Sequence, residues 1–144
     1  KAAESVIFTN PPPDLAARSY LMNGCQDGVL EALGGITLPK GAKLPVLRES
    51  VITRWADTVV FGEKASSSSQ HYLVLESDAN LYLDDLEESR HGGTGRALDK
   101  SGSSNYAFGD GSVRAVCYGE TLCPLNLWAV TETGRTEYAV CRLK

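Results

Sequence analysis

The chain has 144 residues, enough for one domain with a sizeable core and no dependence on metal or disulfides for folding. Its apolar and charged fractions, 42% and 22%, are those of an ordinary soluble globular protein, and its net charge of −4 arises from 18 acidic against 14 scattered basic residues. Lys and Arg never stand side by side, and no run approaches the ~20 apolar residues of a membrane span, which argues against a nucleic-acid surface, an anionic-membrane surface and a transmembrane helix.

With no initiator Met and no secretory signal, Lys1 reads as a processing boundary. Lys1 to Phe8 is compatible with a short helix or a strand, and it stops at Pro11-Pro12-Pro13, a rigid extended connector. Asp27 is placed to cap a short helix over Gly28 to Leu33, closed by Gly34-Gly35. Ile36 to Pro45 is loop-like. Ser50 to Thr53 and Thr58 to Gly62 are rich in β-formers, the second reading as a buried strand. Ala65 to Gln70 is a flexible polar tip, His71 to Leu75 a further strand, and Asn80 to Ser89 an acidic run with a helical turn around Asp84 to Glu88. Gly92 to Ser104, rich in Gly and Ser/Thr, reads as a mobile excursion.

The most firmly specified stretch is Ser103 to Tyr118, where Asp110-Gly111 separates two alternating segments and predicts a two-residue hairpin turn. With that turn Gly109 faces Ser112 and Phe108 faces Val113. Tyr106, Phe108, Val113, Ala115 and Cys117 then share the core face, and Asn105, Ala107, Arg114 and Val116 the other. Leu125 to Thr131 and Glu137 to Leu143 are expected as the last two strands, or as one strand and an extended tail, with Gly134 in the gap between them. The expected fold is therefore α+β: one domain over residues 1–144, mainly an antiparallel sheet of short strands with little helix and long loops.

The four cysteines, Cys25, Cys117, Cys123 and Cys141, allow three connectivities. A short Cys117–Cys123 loop with Cys25–Cys141 tying the ends of the chain is the preferred pairing. Disulfides are favoured over reduced thiols, the alternative, because no pair has zinc-knuckle or redox spacing.

Ser89-Arg90-His91-Gly92 and Ser104 to Val113 resemble the pilin-like, type II secretion pseudopilin-like proteins that carry a prepilin-type processing-associated domain. That domain is named for a His followed nine residues on by Asp-Gly. Here the His is His91 and the Asp-Gly is Asp110-Gly111. Eighteen residues lie between His91 and Asp110, the excess being accounted for by an insertion over Thr94 to Gly102. Arg18 to Gly24, Thr58 to Lys64 and Asn126 to Thr131 are similar to the same family in the same order. The resemblance covers the globular head only, without the family's hydrophobic N-terminal helix. It implies a structural subunit of a type IV pilus-like or type II secretion pseudopilus-like filament. The head would face the periplasm or the exterior, after anchoring in the inner membrane through that missing helix. The partners would be homo- or hetero-oligomeric filament subunits. Arg90, His91, Asn105, Asp110 and Gly111 are the residues of the structural motif.

Two kinds of site compete with a purely structural role. His91, Asp110 and Glu63 could converge on a metal or a small polar ligand, or His91 could pin its loop against the hairpin by bonding a carbonyl or Asp110 without any metal. Calcium, which some pseudopilins hold in a head loop, would draw on Asp78, Asn80, Asp84 or Asp85. An EF-hand reading of Asp78-Ala79-Asn80 fails, because Leu83 stands where Gly is needed and Ser89 where Glu is needed, so a solvated acidic face is favoured. Zinc is poorly supported with only two His, and no cofactor is expected. No G-x-S-x-G elbow or P-loop ending is present and the serines concentrate in flexible tracts, so an enzyme is not expected.

Overall fold

The computed structural model describes residues 19–24, 27, 49–74, 83–93 and 101–141. Five short strands form one sheet: β1 (Tyr20–Asn23), β2 (Val59–Glu63), β3 (Tyr72–Leu73), β4 (Ser103–Phe108) and β5 (Val113–Cys117). Their order is β3-β1-β2-β4-β5, antiparallel throughout except for β1 with β3. Single-turn 3-10 segments at Glu49–Val51 and Trp55–Asp57 and one short helix, α1 (Glu132–Glu137), complete the described elements. This is the α+β architecture of short strands and little helix that the sequence predicts. Among the described residues no helix is long and apolar enough to cross a membrane.

Pairing sets the faces. Leu21, Gly62, Tyr106 and Arg114 lie directly opposite one another across four strands, and so share one side of the sheet. A bulge between Val59 and Phe61 leaves Val59 opposite Phe108 and turns Phe61 to the other side. The residues after β5 pack beneath the first face, where Leu122, Trp128 and Ala129 join Leu21, Val59, Leu73, Leu86, Tyr106 and Phe108 in the core. Trp128 meets Tyr106 edge to face at 6.2 Å between ring centroids. The Asn23 side-chain amide ties this layer to the sheet by donating to the carbonyls of Val59 and Trp128.

The hairpin stands where expected, but its register differs by one residue. Tyr106 pairs with Arg114 and Ala107 with Val113, so Phe108 faces Ser112 across a three-residue loop. Phe108 N–H donates to the Ser112 carbonyl and Gly111 N–H to the Phe108 carbonyl, and only Gly111 takes positive φ, 84°. Asp110 therefore needs no left-handed backbone: the turn is a type I turn closed by a left-handed Gly. One residue of slip reverses β5, sending Val113, Ala115 and Cys117 to the open face and Arg114 and Val116 to the core side. Arg114 is accommodated there by stacking 3.4 Å over the Phe108 ring and donating to the Ala56 carbonyl.

Among the described residues neither Leu125 to Thr131 nor the stretch from Glu137 is a strand. Residues 125–131 form turns because Asn126 competes locally for the backbone: its side-chain oxygen accepts from Trp128 N–H at 2.9 Å and its amide donates to the Tyr138 carbonyl at 2.7 Å. Thr131 then caps α1, accepting from Gly134 N–H at 2.9 Å. Ser50 to Thr53 contributes to a 3-10 turn rather than a strand, and the His71 strand shrinks to Tyr72–Leu73. The Ala65 to Gln70 tip is pinned by Lys64 Nζ donating to the Ser68 carbonyl and by Ser68 Oγ bonding Asp85.

The disulfide pairing is corrected as well. Cys123 bonds Cys141, their Cα atoms 4.9 Å apart, and Cys117 is a free, exposed thiol. The hydrogen bond from Val140 N–H to the Leu122 carbonyl lays Cys141 beside Cys123, whereas Cys117 ends β5 on the open face. Neither Cys117–Cys123 nor Cys25–Cys141 therefore forms. Cys25 itself, residues 1–18, the helix expected over 28–33 and the cation candidates Asp78 and Asn80 lie outside the described residues.

Candidate functional site

Three of the motif residues, Arg90, His91 and Asn105, gather where β2 leaves the sheet. Beyond Gly62 the chain turns away from β4, and the segment around residues 85–91 takes its place. Lys64 bridges Leu86, Glu87 N–H donates to the Glu63 carbonyl, and His91 exchanges two 2.8 Å backbone hydrogen bonds with Ser103 at the start of β4. A strand edge left open at such a fork needs partners for its N–H groups. Glu63 supplies one: its Oε2 accepts from the Asn105 backbone N–H at 2.9 Å.

Around that carboxylate the polar side chains close in. His91 Nε2 lies 3.1 Å from Glu63, Arg90 Nε lies 3.5 Å from Glu63 Oε1, and Asn105 Nδ2 is 2.9 Å from His91 Nε2. Arg90 further donates through Nη2 to the Lys64 carbonyl at 2.6 Å and through its backbone N–H to Ser104 Oγ at 3.2 Å. The Glu63 side chain is 5% exposed and that of His91 50%. A buried carboxylate is tolerable only when its lone pairs are occupied, and here a backbone N–H, an imidazole and a guanidinium occupy them. Through the Asn105 N–H and through Arg90, which also bonds the Lys64 carbonyl, the carboxylate ties the start of β4 and the 85–91 segment to the end of β2.

Asp110 does not join them. It lies beyond Phe108 at the far end of β4, whereas His91 is bonded to Ser103 at the near end. Its Oδ1 accepts from the Ser112 hydroxyl at 2.7 Å and the Ser112 N–H at 2.9 Å, which hold this exposed carboxyl below its ordinary value, the hydroxyl foremost. The convergence of His91 and Asp110 on one ligand is thus corrected: Asp110 serves the turn, and Glu63 is the carboxylate that His91 meets. Of the other cation candidates, Asp84 is exposed and Asp85 bonds Ser68 Oγ. Among the described residues no group of three His, Cys, Asp or Glu side chains is arranged to hold a metal ion.

Two further buried polar centres have partners that no local signal announces, and Asp27, expected as a helix cap, directs its Oδ2 to a distant segment instead. Asp27 Oδ2 accepts from the N–H groups of Val130 and Thr131 and from Thr131 Oγ1, joining positions 103 and 104 residues apart in sequence. Arg135, fully buried, donates to Thr58 Oγ1 at 2.6 Å and to the Asp57 carbonyl at 3.1 Å. A signal for Glu63 did exist: an acidic residue ending an otherwise apolar strand, Val59-Val60-Phe61-Gly62, must find partners if the strand is buried.

Compared with models of protein families, with curated proteins and with solved structures, the chain matches none.

Proposed function

We propose that the chain is the globular head of a pilin-like or pseudopilin-like subunit, a structural protein of a cell-envelope filament and not a catalyst. One observation carries the reading. The five stretches that resemble that family, spread from residue 18 to residue 131, come together as one structural unit. Three of them contain β1, β2 and β4, which are neighbours in the sheet. The fourth, around His91, is latched to the start of β4 through Ser103 and Glu63. The fifth places Trp128 beneath Gly62 and Tyr106. Residues that a family shares to build a scaffold cluster in this way, with their polar groups spent on backbone.

On this reading the head faces the periplasm or the exterior, a hydrophobic N-terminal helix anchors the subunit in the inner membrane before assembly, and like or related subunits are its partners. The test is the precursor sequence upstream of Lys1 together with immunogold labelling of envelope preparations. A basic leader followed by an apolar helix, and label along filaments, are expected. A conventional cleaved signal leading straight into Lys1, with no filament label, would overturn the reading.

A further inference from the structure

β5 ends the sheet, and among the described residues no strand pairs with its outer edge. Ser112 and Tyr118, on either side of it, both bond toward β4, so by antiparallel alternation Arg114 and Val116 do too. The N–H and C=O groups of Val113 and Ala115 and the N–H of Cys117 therefore point away from the sheet, and among the described residues they meet no acceptor or donor. Val113 is 69% exposed, and Ala115 and Cys117 are exposed too. Edges of this kind are normally blunted by Lys, Pro, a bulge, an inward-pointing charge or a covering segment. Among the described residues β5 has only the inward-pointing charge, Arg114, whose guanidinium is drawn onto the Phe108 ring and the Ala56 carbonyl on the core side and leaves the outer backbone edge open.

We infer that β5 pairs antiparallel with β5 of a second copy of this chain about a two-fold axis at Ala115, joining two five-stranded sheets into one of ten. The strand's own sequence selects this occupant and register. Centred on Ala115, all five residues find a partner: Val113 opposite Cys117 of the second copy, Arg114 opposite Val116, and Ala115 opposite itself. Shifting two residues toward the turn would set Arg114 against its own copy, placing like charges directly opposite, which destabilises a cross-strand pair. The open-face residues brought together are Val, Ala and Cys, all small and uncharged, so an isologous contact meets no self-repulsion despite the net charge of −4. The same symmetry places the open faces of the two sheets side by side. Each carries an apolar row of paired residues, Tyr72, Met22, Phe61, Ala107 and Val113. The pairing is a property of the edge itself and holds for the head in solution, whatever assembly the head belongs to.

The 144-residue chain is tested by sedimentation and by cross-linking. A reversible dimer in the micromolar-to-millimolar range is expected. Ala115→Lys, an exposed position that sets a cation against its copy at the axis, should weaken it several-fold without altering thermal unfolding of the monomer. In an antiparallel hydrogen-bonded pair Cα atoms lie about 5.5 Å apart, within disulfide range, whereas residues four apart on one strand are separated by about 13 Å. Val113→Cys should therefore form a covalent dimer with Cys117 of the second copy under copper–phenanthroline oxidation, and adding Cys117→Ser should abolish it. A chain that remains monomeric at every concentration, a dimer unaffected by Ala115→Lys, no covalent dimer, or one that persists after Cys117→Ser would each overturn the proposal.

Discussion

The Trp128 ring fills the space where a side chain on Gly62 would stand: a Cβ built there would come within 2.6 Å of Trp128 Cζ2 and 2.8 Å of Tyr106 Cδ1. Gly62 is a strand residue lying opposite Leu21 and Tyr106, and its lack of a side chain is what lets the indole lie flush against the middle of the sheet. Gly62→Ala adds one methyl to a closed core, and overpacking of this kind costs roughly 1–3 kcal/mol. Denaturant unfolding checks it, and Trp128→Phe in the same chain should recover part of the loss because the smaller ring withdraws from the methyl. Unchanged stability in Gly62→Ala would mean that the indole is not held there.

Glu63→Ala tests the fork between β2 and β4. It removes the acceptor of the Asn105 N–H, the counter-charge of Arg90 and the carboxylate that His91 Nε2 meets. Losing a buried acceptor with a charged partner costs roughly 1–3 kcal/mol. Glu63→Gln, which retains an acceptor oxygen, should lose less. Hydrogen exchange at Ser103 and Asn105 should accelerate in the Ala variant before the rest of β4 does. Uniform exchange along β4 in both variants would show that the latch does not hold the strand's start.

How far such relationships can be read from sequence depends on whether they are local. Asp110-Gly111 announces a hairpin because the conformational demand and the residue that meets it are adjacent. The register slipped because Asp110 can bond Ser112 from an ordinary type I turn, leaving Gly111 alone at positive φ. Alternation in Val113 to Cys117 could not correct the slip, since both faces carry Val or Ala and the one charge, Arg114, lies on the core side by stacking on Phe108. The run from Leu125 to Thr131 reads as a strand by composition, yet Asn126 and the distant Asp27 hold its backbone in turns and open α1. The disulfide was illegible for the same reason: Cys141 reaches Cys123 through a tail that folds back along Leu122, a path no spacing encodes. The sequence leaves His91 open between a ligand site and a pin on the hairpin, and does not show that its carboxylate lies in β2, 28 residues away, and not in the turn that shares its motif.

The Cys123–Cys141 bond closes a loop of 18 residues onto the layer beneath the sheet. Restricting an unfolded loop of that length is worth roughly 3 kcal/mol. Reduction, or Cys141→Ser, should lower the denaturation midpoint accordingly, while Cys117→Ser should leave it unchanged because that thiol is exposed and unbonded. Alkylation of the folded, unreduced protein followed by peptide mapping should label Cys117 and spare Cys123 and Cys141. Labelling of Cys141 under those conditions would refute the pairing.

Alkaline pH provides the remaining test, through Tyr106. Its phenol is buried in the core, and burial first, then the nearby Glu88 carboxylate, push its pKa well above the ordinary value of 10.0. The folded state thus holds this proton more tightly than the unfolded state does. Its contribution to stability is complete below pH 10 and is lost as pH rises above that value toward the folded-state pKa. Absorbance at the phenolate band should show that not all six tyrosines ionise while the tryptophan fluorescence remains native, with the missing one appearing together with unfolding. Tyr106→Phe should remove that late component and flatten the fall of stability above pH 10. If all six ionise together with the fold intact, the Tyr106 hydroxyl is open to solvent and the packing of Trp128 against it is wrong.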